Sequence, residues 1–381
     1  MADLFIDKFD DSVAKGLGEV LWSWQCCDDC KTSNRRRSIA CYCSSHISRV
    51  KRYLQYYEGL VLDYHDELPL EGQPFKTHGD IWKAISLLRN RPELTRTEFS
   101  ELISDSSLVP KDQKLLMDAT ALIVKIICMI DCSNLHYSPG RLEEGNYGPF
   151  WGDQAPFNKY LQDLFTPQDH PIWSSRYGQN EVLYARKSQL RATKLKKRLN
   201  LTFRPTHDIR DHLRLDIRRN ELHIFHYVSF LKENLRARKD SSSLYLLPRQ
   251  LLLEVLDSTQ RILFPISDAK SRKLLRSLIS DSDYSFDPET ERFELSTVCN
   301  PGEENIPYVY FANQLEELFQ ESQSPRPRTW LEKQMQRRSG ARYMMLATLI
   351  GVLFAVLLGV LALILSAIQT WIAYQAWKHP V

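Results

Sequence analysis

The feature that most constrains this chain is an uncharged run over Tyr343–Trp377. Within it, the 25 residues of Met344–Ile368 are interrupted only by the mildly polar Thr348 and Ser366. At about 1.5 Å per residue, a helix of that length covers the roughly 30 Å hydrocarbon layer of a bilayer. Because lipid offers the backbone no hydrogen-bond partners, the run has to be helical. The sequence therefore predicts a transmembrane helix over residues 343–372.

The charges on either side of this run predict its orientation. Six basic residues precede it: Arg326, Arg328, Lys333, Arg337, Arg338 and Arg342. One basic residue, Lys378, follows it. Because Lys and Arg beside a membrane helix favour the cytosolic side, we expect a cytosolic N-terminal part and a short far-side tail, residues 373–381. Trp371, Tyr374 and Trp377 would lie in the far interface, and insertion would follow translation.

The start of the chain predicts no secretory signal, since "MADLFIDKFDDSVAKGL" lacks a basic stretch followed by an apolar run. Its apolar residues recur at helical spacing and predict an amphipathic helix. The eight cysteines of a chain without such a signal favour reduced thiols over disulfides. We therefore predict a single-pass membrane protein with its large domain in the cytosol, and favour an endomembrane over the mitochondrial outer membrane.

Small residues recur on one face of the predicted membrane helix, at Ala347, Gly351, Ala355 and Gly359. Small residues four apart let two membrane helices approach closely, which predicts a homodimer through this face. The alternative is that Gly and Ala are common in such helices and that the spacing has no consequence.

The part before the run has the composition of a globular protein, and its periodicity predicts a mainly α-helical domain with minor β content. The predicted divisions are a helical region 1–137 with a Cys-rich segment 26–46, a Gly, Pro and aromatic loop 138–180, a basic helical region 181–322, and a basic linker 323–342. The loop is either a binding element or an ordered wrap with Phe150, Trp151 and Phe157 tucked into the core.

Individual segments give sharper predictions. A helix with Ile81, Trp82, Ile85 and Leu88 on one face ends before Pro92. A core helix is expected over about Gln113 to Ile130. The stretch "EVLYARKSQLRATKLKKRLNL" predicts one basic helix, and the stretch from Pro248 to Pro265 an amphipathic one. Asp268 is a predicted N-cap, and the alternation over residues 213–224 predicts a short hairpin.

The Cys-rich segment is a candidate metal site. Cys27 and Cys30 have the two-residue gap with which two thiolates bind one zinc ion, and Cys43 and His46 would complete a tetrahedral site. Since the second half is not a clean pair, packed or palmitoylated cysteines are an open alternative.

A group of histidines and aspartates is the candidate for catalysis. On a helix, His207 would face Asp211 and Asp208 would face His212, and such side chains can serve in acid–base chemistry or bind a metal. The alternative is that they cap and pair on a polar surface. No nucleophile or substrate cradle accompanies them, so the sequence favours a protein without catalytic activity.

Positive charge is concentrated in residues 186–219, where twelve Lys or Arg stand against Asp208, Asp211 and Asp216. Such a face on a membrane-tethered domain is able to contact anionic lipid head groups, although the sequence favours the alternatives. The alternatives are solvation and pairing with the acidic stretch around Asp63. Because no recognised nucleic-acid motif accompanies the charge, a nucleic-acid partner is not predicted. The sequence also lacks phosphate-loop, dinucleotide-binding and nucleophile-elbow motifs.

Three segments resemble uncharacterised, C-terminally membrane-anchored proteins of filamentous ascomycete fungi: "ARKSQLRATKLKKRLNLTFRPTHDIRDHLRLD", "LPRQLLLEVLDSTQRILFP" and "SGARYMMLATLIGVLFAVLLGVL…YQAWKHPV". The resemblance covers the chain from about Leu115 onward and implies a fungal membrane-anchored protein, with no functional residue to carry over. The function expected from the sequence is a binding or scaffold module. The alternative is a membrane-tethered accessory enzyme of a fungal pathway, such as one for a secondary metabolite, that uses the His/Asp group.

Overall fold

The structure is a computed structural model. It describes residues 9–25, 42–67, 73–105, 113–132, 150–175, 180–240, 246–281, 285–303, 305–325 and 342–378. The chain divides into two compact units, Met1–Gln323 and Ser324–Val381. The first unit is mainly helical with a small sheet, as the sequence predicts, and the second contains a single long helix among its described residues.

The helices of the first half of the domain are α1 (Asp11–Trp22), α2 (Tyr42–Arg49), α3 (Lys51–Glu67), α4 (His78–Asn90), α5 (Arg96–Asp105), α6 (Gln113–Cys128), α7 (Phe157–Leu164), α8 (Asn180–Gln189) and α9 (Ala192–Leu199). Three strands follow: β1 (Thr202–Thr206), β2 (Leu215–Asp216) and β3 (Glu221–Phe225). The remaining helices of the domain are α10 (Val228–Asp240), α11 (Arg249–Asp257), α12 (Ala269–Ile279), α13 (Leu295–Val298) and α14 (Ala312–Gln323).

The core runs through both halves of this domain. Helix α1 packs against α4 and α10, while α3 packs against α6 and α10. Helix α6 is the predicted core helix, and its second half from Ala119 to Cys128 is buried except at Lys125. Lys125 reaches Asp131 at 3.3 Å, so its charge is paired at the end of the helix. The core side chains belong to one continuous cluster, which joins residues from Val13 to Leu318.

The sheet contains the predicted hairpin and a third strand that the sequence did not indicate. β2 and β3 pair antiparallel, with Leu215 opposite Leu222. β1 pairs parallel to β3, so the strand order is β1-β3-β2. β1 contains Pro205 and lies at the edge of the sheet, where a residue without an N–H group is tolerated.

Two predicted helices differ from expectation. The basic stretch forms α8 and α9 with a break at Leu190, whose side chain is fully buried, rather than one helix. The stretch after Pro248 is buried on every side from Leu251 to Asp257, so α11 is a core helix and not an amphipathic one. It continues into a π-helical turn, Ser258–Leu263, before Pro265.

Helix ends follow local chemistry closely. Thr77 and Asp80 form a reciprocal capping box at the start of α4, and this helix has the predicted extent. Asp268 caps α12 by accepting a hydrogen bond from Lys270 N at 3.2 Å, which confirms the predicted N-cap. Asp10 caps α1 in the same way.

The aromatic segment is ordered where the structure describes it. Trp151 and Phe157 are fully buried, whereas Phe150 is exposed. The Trp151 carbonyl accepts from Arg96 Nη1 at 3.0 Å, and its indole N–H donates to the Ala155 carbonyl at 2.7 Å. The part within residues 150–175 therefore wraps over the core, while the rest of the predicted loop lies largely outside the described residues.

Two helical glycines provide a test of this packing. A side chain on Gly18 would overlap the Trp24 ring, which is held against Trp22 and by Glu233, whereas nothing lies within 4 Å of a Cβ on Gly59. We expect Gly18→Ala to destabilise the domain, and Gly59→Ala to stabilise it by about 0.5–1 kcal/mol because Ala favours a helix. The measurement is thermal unfolding of the detergent-solubilised chain followed by tryptophan fluorescence. Unfolding temperatures that rise equally in both variants would contradict the packing.

Candidate functional site

The described part of the second unit is one helix, α15 (Arg342–Lys378), of 37 residues. Its segment Thr348–Gln375 is long and apolar enough to cross a membrane, and none of that segment is buried. Its 28 residues correspond to about 40 Å of helix, against a hydrocarbon layer of roughly 30 Å. The predicted apolar helix is therefore present, and it extends beyond the predicted boundary at residue 372.

Polar groups within α15 are accommodated locally. Thr370 donates its hydroxyl to the Ser366 carbonyl at 2.8 Å, which satisfies the hydroxyl within the helix itself. Trp371, Tyr374 and Trp377 are exposed near its end, where a membrane–water interface favours amphipathic rings. These two features are compatible with a membrane span.

The small-residue face of α15 is open where it is described. Neither Gly351 nor Gly359 has any atom within 4 Å of the position a Cβ would occupy, and Ala355 is exposed. The side chain of Ala347 lies outside the described residues. Dimerisation through this face stays a prediction.

The His/Asp group does not lie on an α-helix, so the expected pairs His207–Asp211 and Asp208–His212 are wrong in their helical geometry. β1 ends at Thr206, and a short 3₁₀ turn covers Ile209–Asp211. This backbone sends the side chains in different directions, and each of the four has its own partners in the protein.

His207 is exposed at the surface and lies in an aromatic environment. Its ring stacks on Tyr56, with 5.4 Å between centroids, and its Nδ1 lies 2.6 Å from Tyr227 Oη. Partial burial of the ring, together with the positive charge of Arg52, lowers the pKa of His207. His226 lies beside it, with 5.9 Å between the ring centroids.

The Asp208 carboxylate joins two segments of backbone. It accepts from Arg210 N at 2.9 Å and from Asp131 N at 3.1 Å, which joins the turn after β1 to the end of α6. The Arg210 guanidinium bridges the same elements, since it donates to Asp208 Oδ2 at 2.5 Å and to the Asp131 carbonyl at 2.6 Å. Asp211 pairs with Arg214 at 3.2 Å. These contacts are structural connections within the domain.

His212 is fully buried and has both ring nitrogens engaged. Nδ1 accepts from Phe225 N at 3.2 Å, so Nε2 carries the proton and donates to Ser258 Oγ at 2.7 Å. Ser258 Oγ in turn donates to the Glu254 carbonyl at 2.7 Å. Burial lowers the pKa of His212 to about 3, which keeps the ring neutral near pH 7. The histidine thereby ties β3 to the π-helical turn.

Several buried polar residues were not singled out from the sequence. Glu254 accepts three backbone N–H groups, from Val309 at 2.7 Å, Tyr310 at 2.9 Å and Phe311 at 3.0 Å. Asp287 accepts from Ser229 N at 2.8 Å, and burial raises its pKa to about 6. Both residues stand in apolar or turn-like stretches of sequence, and their partners are more than 50 positions away.

A cavity borders the core near α1 and α10 but does not include the His/Asp group. It is lined by residues such as Trp22, Arg89, Phe230 and Asn234 and has a volume of about 20 Å³. That volume accommodates about one water molecule, far less than a small-molecule substrate needs.

The candidate zinc ligands are only partly described. Cys27 and Cys30 lie outside the described residues, and so does the side chain of Cys43. His46 is buried on Trp24, and its Nδ1 lies 2.9 Å from Glu233 Oε2. A zinc-ligating histidine commonly donates its other ring N–H to a carboxylate in this way. Among the described residues no group of three or more His, Cys, Asp or Glu could hold a metal ion, and the zinc site stays a prediction.

Glu233 connects this histidine to the rest of the domain. Its carboxylate also accepts from Trp24 Nε1 at 3.2 Å and from Arg236 Nη1 at 2.5 Å. Although burial opposes ionisation, the hydrogen bonds from His46 and Arg236 hold the pKa of Glu233 below its ordinary value. The segment after α1 and helix α2 are thereby held on α10.

Many cations of the basic region are paired inside the domain. The ion pairs join Arg186 to Glu316, Lys187 to Asp257, Arg204 to Glu221, Arg210 to Asp208, Arg214 to Asp211 and Arg219 to Asp216. Lys196, Lys197 and Arg198, in the last turn of α9, are exposed instead. The structure thus separates the run into a paired part and an open part.

Comparison with protein-family models, curated proteins and solved structures finds no significant match for the chain.

His212 gives a prediction about pH. In the unfolded chain its pKa returns to about 6.5, so below that pH the unfolded state takes up a proton that the folded state refuses down to about pH 3. This residue should therefore cost the fold about 1.4 kcal/mol for each pH unit below 6.5. The ordinary pKa of histidine is about 6.5, so measurements at about pH 7.5 and about pH 5.5 lie on either side of it. Between these two pH values, we expect the unfolding temperature of the wild-type chain to fall more steeply than that of His212→Gln. Parallel pH profiles would contradict a buried neutral ring.

Proposed function

We propose that this chain is a single-pass membrane protein whose helix α15 crosses the bilayer and whose helical domain, in the cytosol, binds partners at the membrane surface. The apolar, uncharged and exposed segment Thr348–Gln375 is the observation that carries the proposal. The resemblance to membrane-anchored fungal proteins agrees with it and stays a prediction.

The first support is the cost of leaving α15 in water. Burial of apolar surface is worth roughly 25 cal/mol per Å², and a helix that is apolar on every side has no polar face to turn toward solvent. Side chains such as Leu349, Phe354 and Leu363 are more than half exposed. Exposed apolar surface of this extent is typical of a membrane or protein contact, and its length favours the bilayer.

The second support concerns orientation. The six basic residues that precede the span, against Lys378 after it, favour a cytosolic domain. The five of these residues that precede Arg342 lie outside the described residues, so this support rests on the sequence.

The third support concerns binding in preference to catalysis. Asp208 and His212 make hydrogen bonds that connect elements of the fold. If either side chain acted as an acid or a base, the change in its protonation would break those hydrogen bonds. The alternative, a membrane-tethered accessory enzyme, rests on His207, which lies at the surface beside Tyr227 and Arg52.

The anchor is tested by placing charge in the middle of the span. Val360→Arg together with Leu361→Arg should prevent stable insertion, since each charge at the bilayer centre costs about 2.5–3.5 kcal/mol on insertion scales. The matched control is Val360→Ile with Leu361→Ile, which keeps the apolar character. We expect wild type and control to stay in the membrane pellet after alkaline carbonate extraction and the Arg variant to move to the supernatant. Release of all three proteins would overturn the proposal.

A further inference from the structure

Two basic helices, α9 and α12, are held side by side although some 70 residues separate them in the sequence. Thr193 Oγ1 donates to Asp268 Oδ2 at 3.3 Å and lies 3.3 Å from Ser271 Oγ, while Ser271 donates to Asp268 at 2.7 Å. Leu195 and Leu275 are fully buried on the inner faces of the two helices. Their outer faces therefore belong to one surface.

That surface carries positive charge without a compensating negative charge in either helix. The exposed basic residues on it are Lys196, Lys197, Arg198, Lys270 and Lys273, which we call the α9/α12 basic surface. The sequences of both helices contain no Asp or Glu. Within the described part of the chain, no ion pair involves these five residues, and the nearby Glu291 is paired with Arg276.

Helix stability accounts for only part of this charge. Lys196, Lys197 and Arg198 lie in the last turn of α9, where cations interact favourably with the helix dipole. Lys270 lies in the first turn of α12, where a cation is unfavourable, and Lys273 follows on the same exposed face. A partner with negative charge would make this arrangement favourable.

An exposed apolar side chain adjoins the charge. Ile266 is 57% exposed and stands two residues before Asp268, the cap that joins the two helices. Basic residues beside an exposed apolar side chain are typical of surfaces that bind the interface of an anionic membrane. A nucleic-acid backbone or a free phosphate ion would offer no apolar region for the isoleucine side chain to contact.

We infer that the α9/α12 basic surface binds the anionic head groups of the membrane that α15 spans, with Ile266 in contact with the interface. The inference rests on the proposed function, because the span keeps the surface within reach of the bilayer. The lipid-binding surface differs from the basic stretch 186–219 of the sequence. The paired cations of residues 204–219 do not belong to it, whereas Lys270 and Lys273, from a different part of the chain, do.

The test is chemical footprinting of lysines on the full chain in lipid nanodiscs. Acetylation by N-hydroxysuccinimidyl acetate is followed by mass spectrometry in discs of phosphatidylcholine alone and of phosphatidylcholine with phosphatidylglycerol. We expect Lys196, Lys197, Lys270 and Lys273 to react several-fold more slowly in the anionic discs, and the protection to disappear at high salt. Exposed lysines elsewhere, Lys51, Lys83 and Lys159, are internal controls and should react equally in both.

Two variants sharpen the test. Lys196→Gln with Lys197→Gln and Lys273→Gln should abolish the protection of Lys270, whereas Lys51→Gln with Lys83→Gln and Lys159→Gln should preserve it. Ile266→Ser should weaken the protection of Lys270 without altering any control lysine.

Other results would overturn the inference. Equal reactivity of the surface lysines in neutral and anionic discs would do so, and so would protection by added inorganic phosphate or a short RNA in neutral discs with none from anionic lipid. Retention of the chain in the discs is scored separately: a chain retained without lysine protection contradicts only the surface, whereas a chain that leaves the discs contradicts the anchor and the inference together.

Discussion

Apolar side chains have to leave water, and this chain does so in two different ways. In the domain, apolar side chains between Val13 and Leu318 are buried against one another in a single core. In α15, Leu, Val and Ile side chains are exposed on every face of the helix, with no described part of their own unit to cover them. We propose that a bilayer supplies the apolar surroundings that this helix requires. The location proposed for the protein rests on this constraint more than on any polar site.

The polar residues of the domain also fall into a buried group and an exposed group. Glu254, His212 and Glu233 are buried, and each satisfies backbone or side-chain groups that are distant in the sequence. Because an unpaired buried polar group costs more than a pair returns, such residues specify one arrangement of the helices. The five cations of the α9/α12 basic surface are different, since no ion pair among the described residues involves them.

Much of the fold follows from local patterns in the sequence. The extents of α4 and α6 and the cap at Asp268 could be predicted because each depends on residues within a few positions of one another. The hairpin was predicted for the same reason. β1 was missed because its pairing with β3 is parallel and has no local signature, and because Pro205 disguises an edge strand.

The candidate sites show where such patterns stop being informative. The His/Asp spacing suggested a helical face, but the backbone at Thr206 is still a strand, and so the four side chains diverge. The basic run gave the net charge correctly, yet it could not indicate which cations find carboxylates or that α12 contributes Lys270 and Lys273. The ion pairs of Arg186 and Lys187 depend on tertiary contacts across more than 50 residues. The contribution of α12 does so too, as the contact between Thr193 and Asp268 shows.

The central claim is that α15 crosses a membrane with the domain on the cytosolic side. Its most direct test is to attach a spacer and an Asn-linked glycosylation acceptor after Val381 and to express the chain in cells with an endomembrane glycosylation system. We expect this acceptor to be modified, and an identical acceptor placed before Met1 to stay unmodified. Modification of the acceptor before Met1, and not of the one after Val381, would contradict the cytosolic orientation of the domain. Absence of modification at both, with the chain in the soluble fraction, would contradict the span itself.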